Sequence, residues 1–311
     1  GTSVIDISDP RKLRVVHQIP APKNTHTNKV QVVGDILIVN NEQFGGRGPK
    51  FEPFKAGIDV YDISHLPELR HLAFFHTGGR GVHRMWYGDY PYAFITAGDD
   101  EYHDQFLKII DLSNPARPRE AGRWALPGMK KGEKQDWVQV EQFGFKKRAD
   151  GRYDLPGDLP HGAAKRVALH EAVGKGNRAY CAWWDCGFII LDISDVSKPK
   201  LVSHTQWPPT ESAQTHTALP LPDRNLCIVS DEFVGNDGND MQKEIRVVDI
   251  SDERNPKVIS MLPQLDVEYR ERGGRAGPHN AHENRPGTFI SSERVYWTFF
   301  NGGVRVFDIR D

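Results

Sequence analysis

The sequence predicts an all-β fold, a β-propeller, and three observations carry that expectation. A short phrase of β-branched residues closing on aspartate recurs six times along the 311 residues. A proline follows every copy but the last, at Pro10, Pro67, Pro115, Pro199 and Pro256. A histidine precedes most copies, in phase with them. A period near 50 residues made of short β-branched runs and turns is the mark of a propeller or array, each repeat being one small sheet.

The copies are Val4-Ile-Asp6-Ile-Ser8, Val60-Tyr-Asp62-Ile-Ser64, Ile109-Ile-Asp111-Leu-Ser113, Ile190-Leu-Asp192-Ile-Ser194, Val247-Val-Asp249-Ile-Ser251 and Val306-Phe-Asp308-Ile-Arg310, their aspartates 56, 49, 81, 57 and 59 residues apart. An aspartate at a strand end, followed by serine and a proline turn, hydrogen-bonds nearby backbone, so the phrase speaks of fold rather than activity. Each repeat reads as four antiparallel strands. In the first full repeat these are 29–33, 36–40, the phrase strand 58–62 and an outer strand 70–75 beyond Pro67. Proline ends the ladder there and sets the turn. The same order recurs from residues 84, 167, 215 and 282.

Six phrases predict six blades, the terminal ones incomplete, because the chain opens and closes on a phrase strand. The expectation is that residues precede Gly1. A five-bladed closure pairing the C-terminal strands with the N-terminal outer strand is the alternative, at the cost of one redundant phrase strand. Radial repetition makes residues 1–311 a single domain. The longest interval holds a polar insertion over 128–162, expected to form a lid over one mouth of the channel.

A net charge of −2 argues against nucleic acid or a membrane surface as partner. No apolar run approaches the roughly 18 residues of a membrane helix, and no leader of charged then apolar residues opens the chain, so a cytoplasmic location is expected. Cys181, Cys186 and Cys227 fit neither a zinc spacing nor an even disulfide framework, and read as reduced, buried thiols. Trp183, Trp184, Trp297, Phe299 and Phe300 lie on second strands and read as core between blades.

The route to function is the histidine. His26, His83, His170, His216 and His282 stand at the entrances to five successive inner strands. Inner strands line a propeller's channel, so equivalent positions converge on its axis. Imidazoles gathered there offer rigid neutral nitrogen ligands to a borderline transition metal. The plainer reading is one structural histidine copied by repeat duplication. Burying several imidazoles together without a metal, however, costs desolvation and invites repulsion on protonation. His161 and His279 lie near such entrances and are the further histidines placed to join.

Glu171 and Glu283 follow ring histidines directly, and Asp231 closes a second strand; these three are the candidate acids, as base or as partner to a ligating imidazole. Glu42, Asp99, Asp185 and Glu232, also at second-strand ends, are expected to be solvated turn residues. Gly78-Gly-Arg80-Gly-Val-His83 is echoed by Gly273-Gly-Arg275-Ala-Gly-Pro-His279 and, in part, by Gly45-Gly-Arg47-Gly48. Arg84, Arg275 and Arg285 are the candidates for holding an anionic substrate. There is no nucleophile elbow, zinc-protease helix or phosphate loop. Gly174-Lys-Gly176 lies between strands with no helix after it, so no nucleotide cofactor is expected. The acidic tract 236–240 lacks calcium-loop spacing.

With these motifs in view, the chain resembles the LVIVD-repeat propeller proteins of bacteria over essentially its whole length. The segments that carry the resemblance are residues 1–10, Asn24-Thr-His-Thr27, Gly78-Gly-Arg-Gly-Val-His83, Trp183-Trp-Asp185, Thr215-His-Thr-Ala-Leu-Pro220 and Phe300-Asn-Gly-Gly303. The resemblance implies the fold and says little of activity; members usually carry further sequence before the first phrase. The histidine ring is also broadly similar to the axial sites of methanethiol oxidases and carotenoid oxygenases, an analogy of fold. The expectation is a metal-dependent enzyme holding one ion of iron, copper or zinc, with manganese also eligible, and acting as an oxidoreductase on a small, anionic molecule. A hydrolase or lyase at the same site is the first alternative. A non-catalytic propeller that binds a protein partner is the second. The sequence does not indicate an oligomeric state.

Overall fold

In a computed structural model, the structure describes residues 1–45, 52–88, 91–133, 146–147, 153–154, 166–207, 214–235, 242–265 and 268–310. The chain forms two compact units, Gly1–Trp124 and Ala125–Asp311. In the first, β1 (Thr2–Asp6) and β2 (Arg14–Ile19) make a two-stranded hairpin. The first blade follows. Its inner position is shared by β3 (Thr25–His26) and β4 (Val30–Val33), both paired to β5 (Ile36–Gln43), which is followed by β6 (Gly57–His65) and β7 (Glu68–His76). The second blade is β8 (Val82–Trp86), β9 (Tyr92–Ala97), β10 (Phe106–Asp111) and β11 (Arg119–Trp124).

The second unit holds a short pair, β12 (Lys146–Lys147) with β13 (Tyr153–Asp154), within the insertion. Beyond residues 128–133 and this pair, the expected lid lies outside the described residues, as do His161 and the tract 236–240. Two four-stranded blades follow, β14 (Glu171–Lys175), β15 (Arg178–Trp183), β16 (Gly187–Asp192), β17 (Lys200–Thr205), then β18 (Thr215–Leu221), β19 (Leu226–Asp231), β20 (Ile245–Asp249), β21 (Lys257–Met261). The last blade has three strands, β22 (Pro278–Ala281), β23 (Arg294–Phe299) and β24 (Gly303–Asp308). Among the described residues the fold is all-β, and the blades number five, not six. Counting phrases overcounts by one because β1 and β24 are both phrase strands of incomplete repeats, and β1 with β2 remains a bare hairpin.

Burial falls from the middle of each blade outward. Every residue of β10 and β19 is buried, whereas every residue of β21 is exposed. This is the pattern of sheets packed face to face, with apolar residues on both faces of the central strands. Trp183, Trp297 and Phe299 fill the spaces between sheets, as expected. The phrase acts as a local device. In every copy that pairs with an outer strand the ladder shifts register at the same place, for instance between Val60 and Tyr61 and between Ile109 and Ile110. Such a bulge twists the outer strand and re-aims it. Beyond it, the aspartate accepts the amide of the serine two residues on, at 2.9 Å for Asp6 and 2.8 Å for Asp192. In three copies an arginine eight residues later closes the hairpin: Arg14 on Asp6, Arg70 on Asp62 and Arg119 on Asp111.

Candidate metal centre

The entrances to the inner strands are tight turns whose backbone only some residues accept. Gln214 adopts a left-handed φ of 69° before Thr215-His216, and Asn24 one of 52° before Thr25-His26. Gly277, at φ 131°, lies so close to Phe233 that a Cβ would stand 2.9 Å from the ring's Cβ. Gly81 precedes His83 in the same way, with Asn41 O at 2.2 Å from a notional Cβ. These turns deliver the histidines.

In the second unit they deliver His170, His216 and His279 to one place. The rings of His170 and His216 stack with centroids 3.6 Å apart, and His279 lies 4.7 Å beyond His216. Trp184 stacks against His170 at 5.2 Å, with His216 6.2 Å from it, and Phe300 stacks against His279 at 4.5 Å. These two aromatics, read from sequence as core, therefore wall the histidines instead. Glu232, just beyond β19 and 7% exposed, completes the group. Donor atoms of His170, His216 and Glu232, all buried, lie within 4.8 Å of one another.

Each donor is oriented from behind. His170 Nδ1 lies 2.8 Å from the carbonyl of His216, which only an N–H satisfies, so the lone pair is on Nε2. Thr217 Oγ1 donates to the His279 carbonyl at 3.3 Å and so accepts from His216 Nδ1 at 2.8 Å, leaving that ring's lone pair on Nε2 as well. Asn280 Nδ2 donates to His279 Nδ1 at 3.0 Å, which puts the proton of His279 on Nε2, 3.5 Å from Glu232 Oε1. Arg275 approaches the same oxygen at 3.0 Å. Glu232 thus turns Oε1 to Arg275 and His279, and Oε2 to His216 Nε2 at 3.7 Å.

The remaining anticipated residues have partners within their own units. His26 and His83 belong to the first unit, where Glu42 accepts His83 Nδ1–H at 2.8 Å and Arg80 at 3.3 Å. Burial holds His26 below the usual histidine range, the nearby Glu42 opposing. His282 bonds the Phe289 carbonyl through Nε2 at 2.6 Å and packs on Tyr296, so His279 rather than His282 sits with His216. Glu171, 2% exposed, accepts the Ala218 amide at 3.3 Å inside the blade packing. Asp231 is 0% exposed and pairs with Arg246 at 2.9 Å. Glu283 lies near Arg285, whose guanidinium pKa is pushed down by burial. Arg84 is buried in β8, its amide bonded to Thr96 Oγ1. Burial raises the thiols of Cys181 and Cys227 well above the usual range, which leaves them unreactive.

Residues 87–125 and 161–206 match the LVIVD repeat. The chain carries LVIVD repeats. No curated protein matches this LVIVD-repeat chain. Among solved structures, a protein from Lactobacillus plantarum aligns with 96% of this chain and 71% of its own, with a TM-score of 0.58 at 9% identity, which shows the fold alone. The computationally designed Ika8 protein aligns over 90% of this chain and 70% of its own at 12% identity, with a TM-score of 0.44. A glycosyl hydrolase from Bacteroides ovatus does so over 93% and 85% at 11% identity, with a TM-score of 0.43. Among the described residues no helix is long and apolar enough to cross a membrane.

Proposed function

We propose that this LVIVD-repeat protein is a metal-dependent enzyme, an oxidoreductase acting on a small anionic molecule, with a transition-metal ion held by His170, His216 and Glu232. The observation that carries the reading is the convergence of those three buried donors within 4.8 Å. Metal–ligand bonds of about 2.0–2.2 Å let atoms up to roughly 4.2 Å apart share an ion, so a small side-chain adjustment completes the set. Two imidazoles and one carboxylate are the donors of non-haem iron oxygenases and also of hydrolytic zinc. The carboxylate in the set makes iron the first expectation and zinc the second. A bound ion supplies Lewis acidity and, if iron, one-electron chemistry.

The chain's own residues do the rest. The His216 carbonyl and Thr217 hold two imidazoles in the tautomer that presents Nε2, which removes the cost of sorting protons on binding. Arg275 and His279 take Glu232 Oε1 and thereby aim Oε2. Arg275 is 39% exposed and lies over Phe300, its charge shared between Glu232 and the space outside. It is the residue placed to hold a substrate carboxylate. Trp184 and Phe300 offer apolar walls on either side. The zinc form of the same donor set supports hydrolase or lyase chemistry as the second reading.

Metal content of the purified protein, measured by mass spectrometry beside a His170→Ala/His216→Ala variant shown folded by circular dichroism, tests the proposal. Iron that falls by one equivalent per chain in the variant is the expected result. Zinc or manganese lost in the same way transfers the reading to hydrolytic chemistry. No metal in either protein after reconstitution overturns it and leaves a binding scaffold.

A further inference from the structure

The constellation around Glu232 has a counterpart in the first unit for its members other than His170. Glu42 is the seventh residue of β5, buried at 4%, as Glu232 is buried just beyond β19. Thr25-His26-Thr27 recurs as Thr215-His216-Thr217, each behind a left-handed residue, but in a shifted register: Thr25 pairs with Gln43, one residue after Glu42, and Thr215 with Asp231, one residue before Glu232. His26 lies directly opposite Glu42 in the ladder of β3 and β5. Residues so paired have their Cβ atoms roughly 5 Å apart on one face of the sheet. The Gly-Gly-Arg turn then brings in the remaining partners. Arg80 Nη2 meets Glu42 Oε1 at 3.3 Å, as Arg275 Nη1 meets Glu232 Oε1 at 3.0 Å. His83 Nδ1 meets Glu42 Oε2 at 2.8 Å.

We infer that the first unit binds a second divalent transition-metal ion, on His26, Glu42 and His83. The difference from the other constellation is informative. There Glu232 stands 3.5 Å from His279, the counterpart of His83, whereas here the two are in hydrogen-bond contact. With metal–ligand bonds of about 2.0–2.2 Å, two ligands of one ion stand roughly 3 Å apart. The His83–Glu42 pair already has that separation, and an ion bound between them takes the Nδ1 lone pair as the proton of the neutral ring moves to Nε2. Arg80 holds the other oxygen of Glu42 and so aims Oε2. His26, exposed on β3 and opposite Glu42 in the ladder, is within reach of the pair. The inference does not require the ion on His170.

Titration of the metal-free full chain with cobalt(II), followed by its visible absorption and by calorimetry, tests this. Two equivalents are expected for the wild type, one for His26→Ala/His83→Ala and one for His170→Ala/His216→Ala. Glu42→Gln keeps shape and removes charge, and is expected to weaken one of the two equivalents roughly tenfold or more without altering the other. It serves where the histidine variant fails to fold. A single equivalent that survives His26→Ala/His83→Ala and Glu42→Gln unchanged overturns the inference. So does a single equivalent lost in both double variants, which means that the two constellations serve one ion. Failure of the earlier proposal looks different: two equivalents untouched by His170→Ala/His216→Ala.

Discussion

Asp231 and Glu232 are neighbours with opposite surroundings. Successive side chains of a strand face opposite ways. Asp231 turns into the blade, where Arg246 at 2.9 Å neutralises it and both side chains are essentially inaccessible. Glu232 turns to the histidines. Removing one partner of a buried ion pair strands the other, a cost of about 3–5 kcal/mol. Asp231→Ala is therefore expected to lower unfolding free energy by about that amount in urea while the folded protein keeps its metal. Glu232→Gln is expected to do the reverse, losing metal while the stability of the metal-free chain stays nearly unchanged. The sequence points to Asp231 as the candidate acid and to Glu232 as a solvated turn residue, because which of the two points inward depends on the strand's register, which residue types alone do not set. His279 was legible in a different signal. Alignment on the histidine-acid pair selects His282, whereas the Gly-Gly-Arg echo places His279 level with His83, and the positive φ of Gly277 and Gly81 is the physical content of that echo.

At the scale of the element, the recurring unit is the hairpin from phrase to outer strand. Its bulge and aspartate bonds repeat because the phrase repeats, and this much was legible without coordinates: an aspartate two residues before serine and eight before a basic residue. The hairpin also has a pH signature. The Ser8 amide, the Ser8 hydroxyl and Arg14 lower the Asp6 carboxyl from 3.8 to about 2. Asp62, Asp192 and Asp249 are lowered likewise by their own serines. The folded pKa lies below the unfolded one, so the unfolded chain binds more protons between the two values. The stabilisation is whole above about pH 4 and is lost as pH falls through the folded value. Urea midpoints between pH 5 and pH 2 are expected to fall with acid, and to fall less steeply in Asp62→Asn, which has one such proton fewer to bind. An equal slope in the variant means that other groups govern the acid limb. The strand entrances carry a second element-scale expectation. Gly277→Ala forces a Cβ against Phe233 at a positive φ, while Gly274→Ala, also at positive φ, meets nothing within 4 Å. The first is expected to weaken metal binding through the displaced His279 and Glu232, and the second to cost only about 1 kcal/mol of backbone strain, as metal titration and urea melts on both variants measure.

On the scale of the molecule, the blades were legible because every blade must bury both faces of its central strands, and that requirement repeats in the sequence as apolar runs between turns. Their number was less so, because a phrase marks a strand and the two terminal phrases do not each complete a sheet. The same architecture would make an ion on the proposed donors a link between sheets. In the second unit His170 precedes β14, His216 lies in β18 and Glu232 follows β19, so such an ion would tie the blade of β14–β17 to that of β18–β21. The two sheets could not then separate without releasing it. A ligand that binds only the folded chain stabilises it by RT ln(1 + [L]/Kd), about 2.7 kcal/mol at a free concentration one hundred times Kd. Scanning calorimetry of the metal-free chain is therefore expected to show a transition that moves upward with added metal and with its concentration. The shift is expected to shrink in His170→Ala/His216→Ala to what the first unit's ion contributes, and to vanish when His26 and His83 are replaced as well. An upward shift that survives all four substitutions places the stabilising ion elsewhere. A wild-type transition indifferent to metal says that the donors converge without linking the sheets.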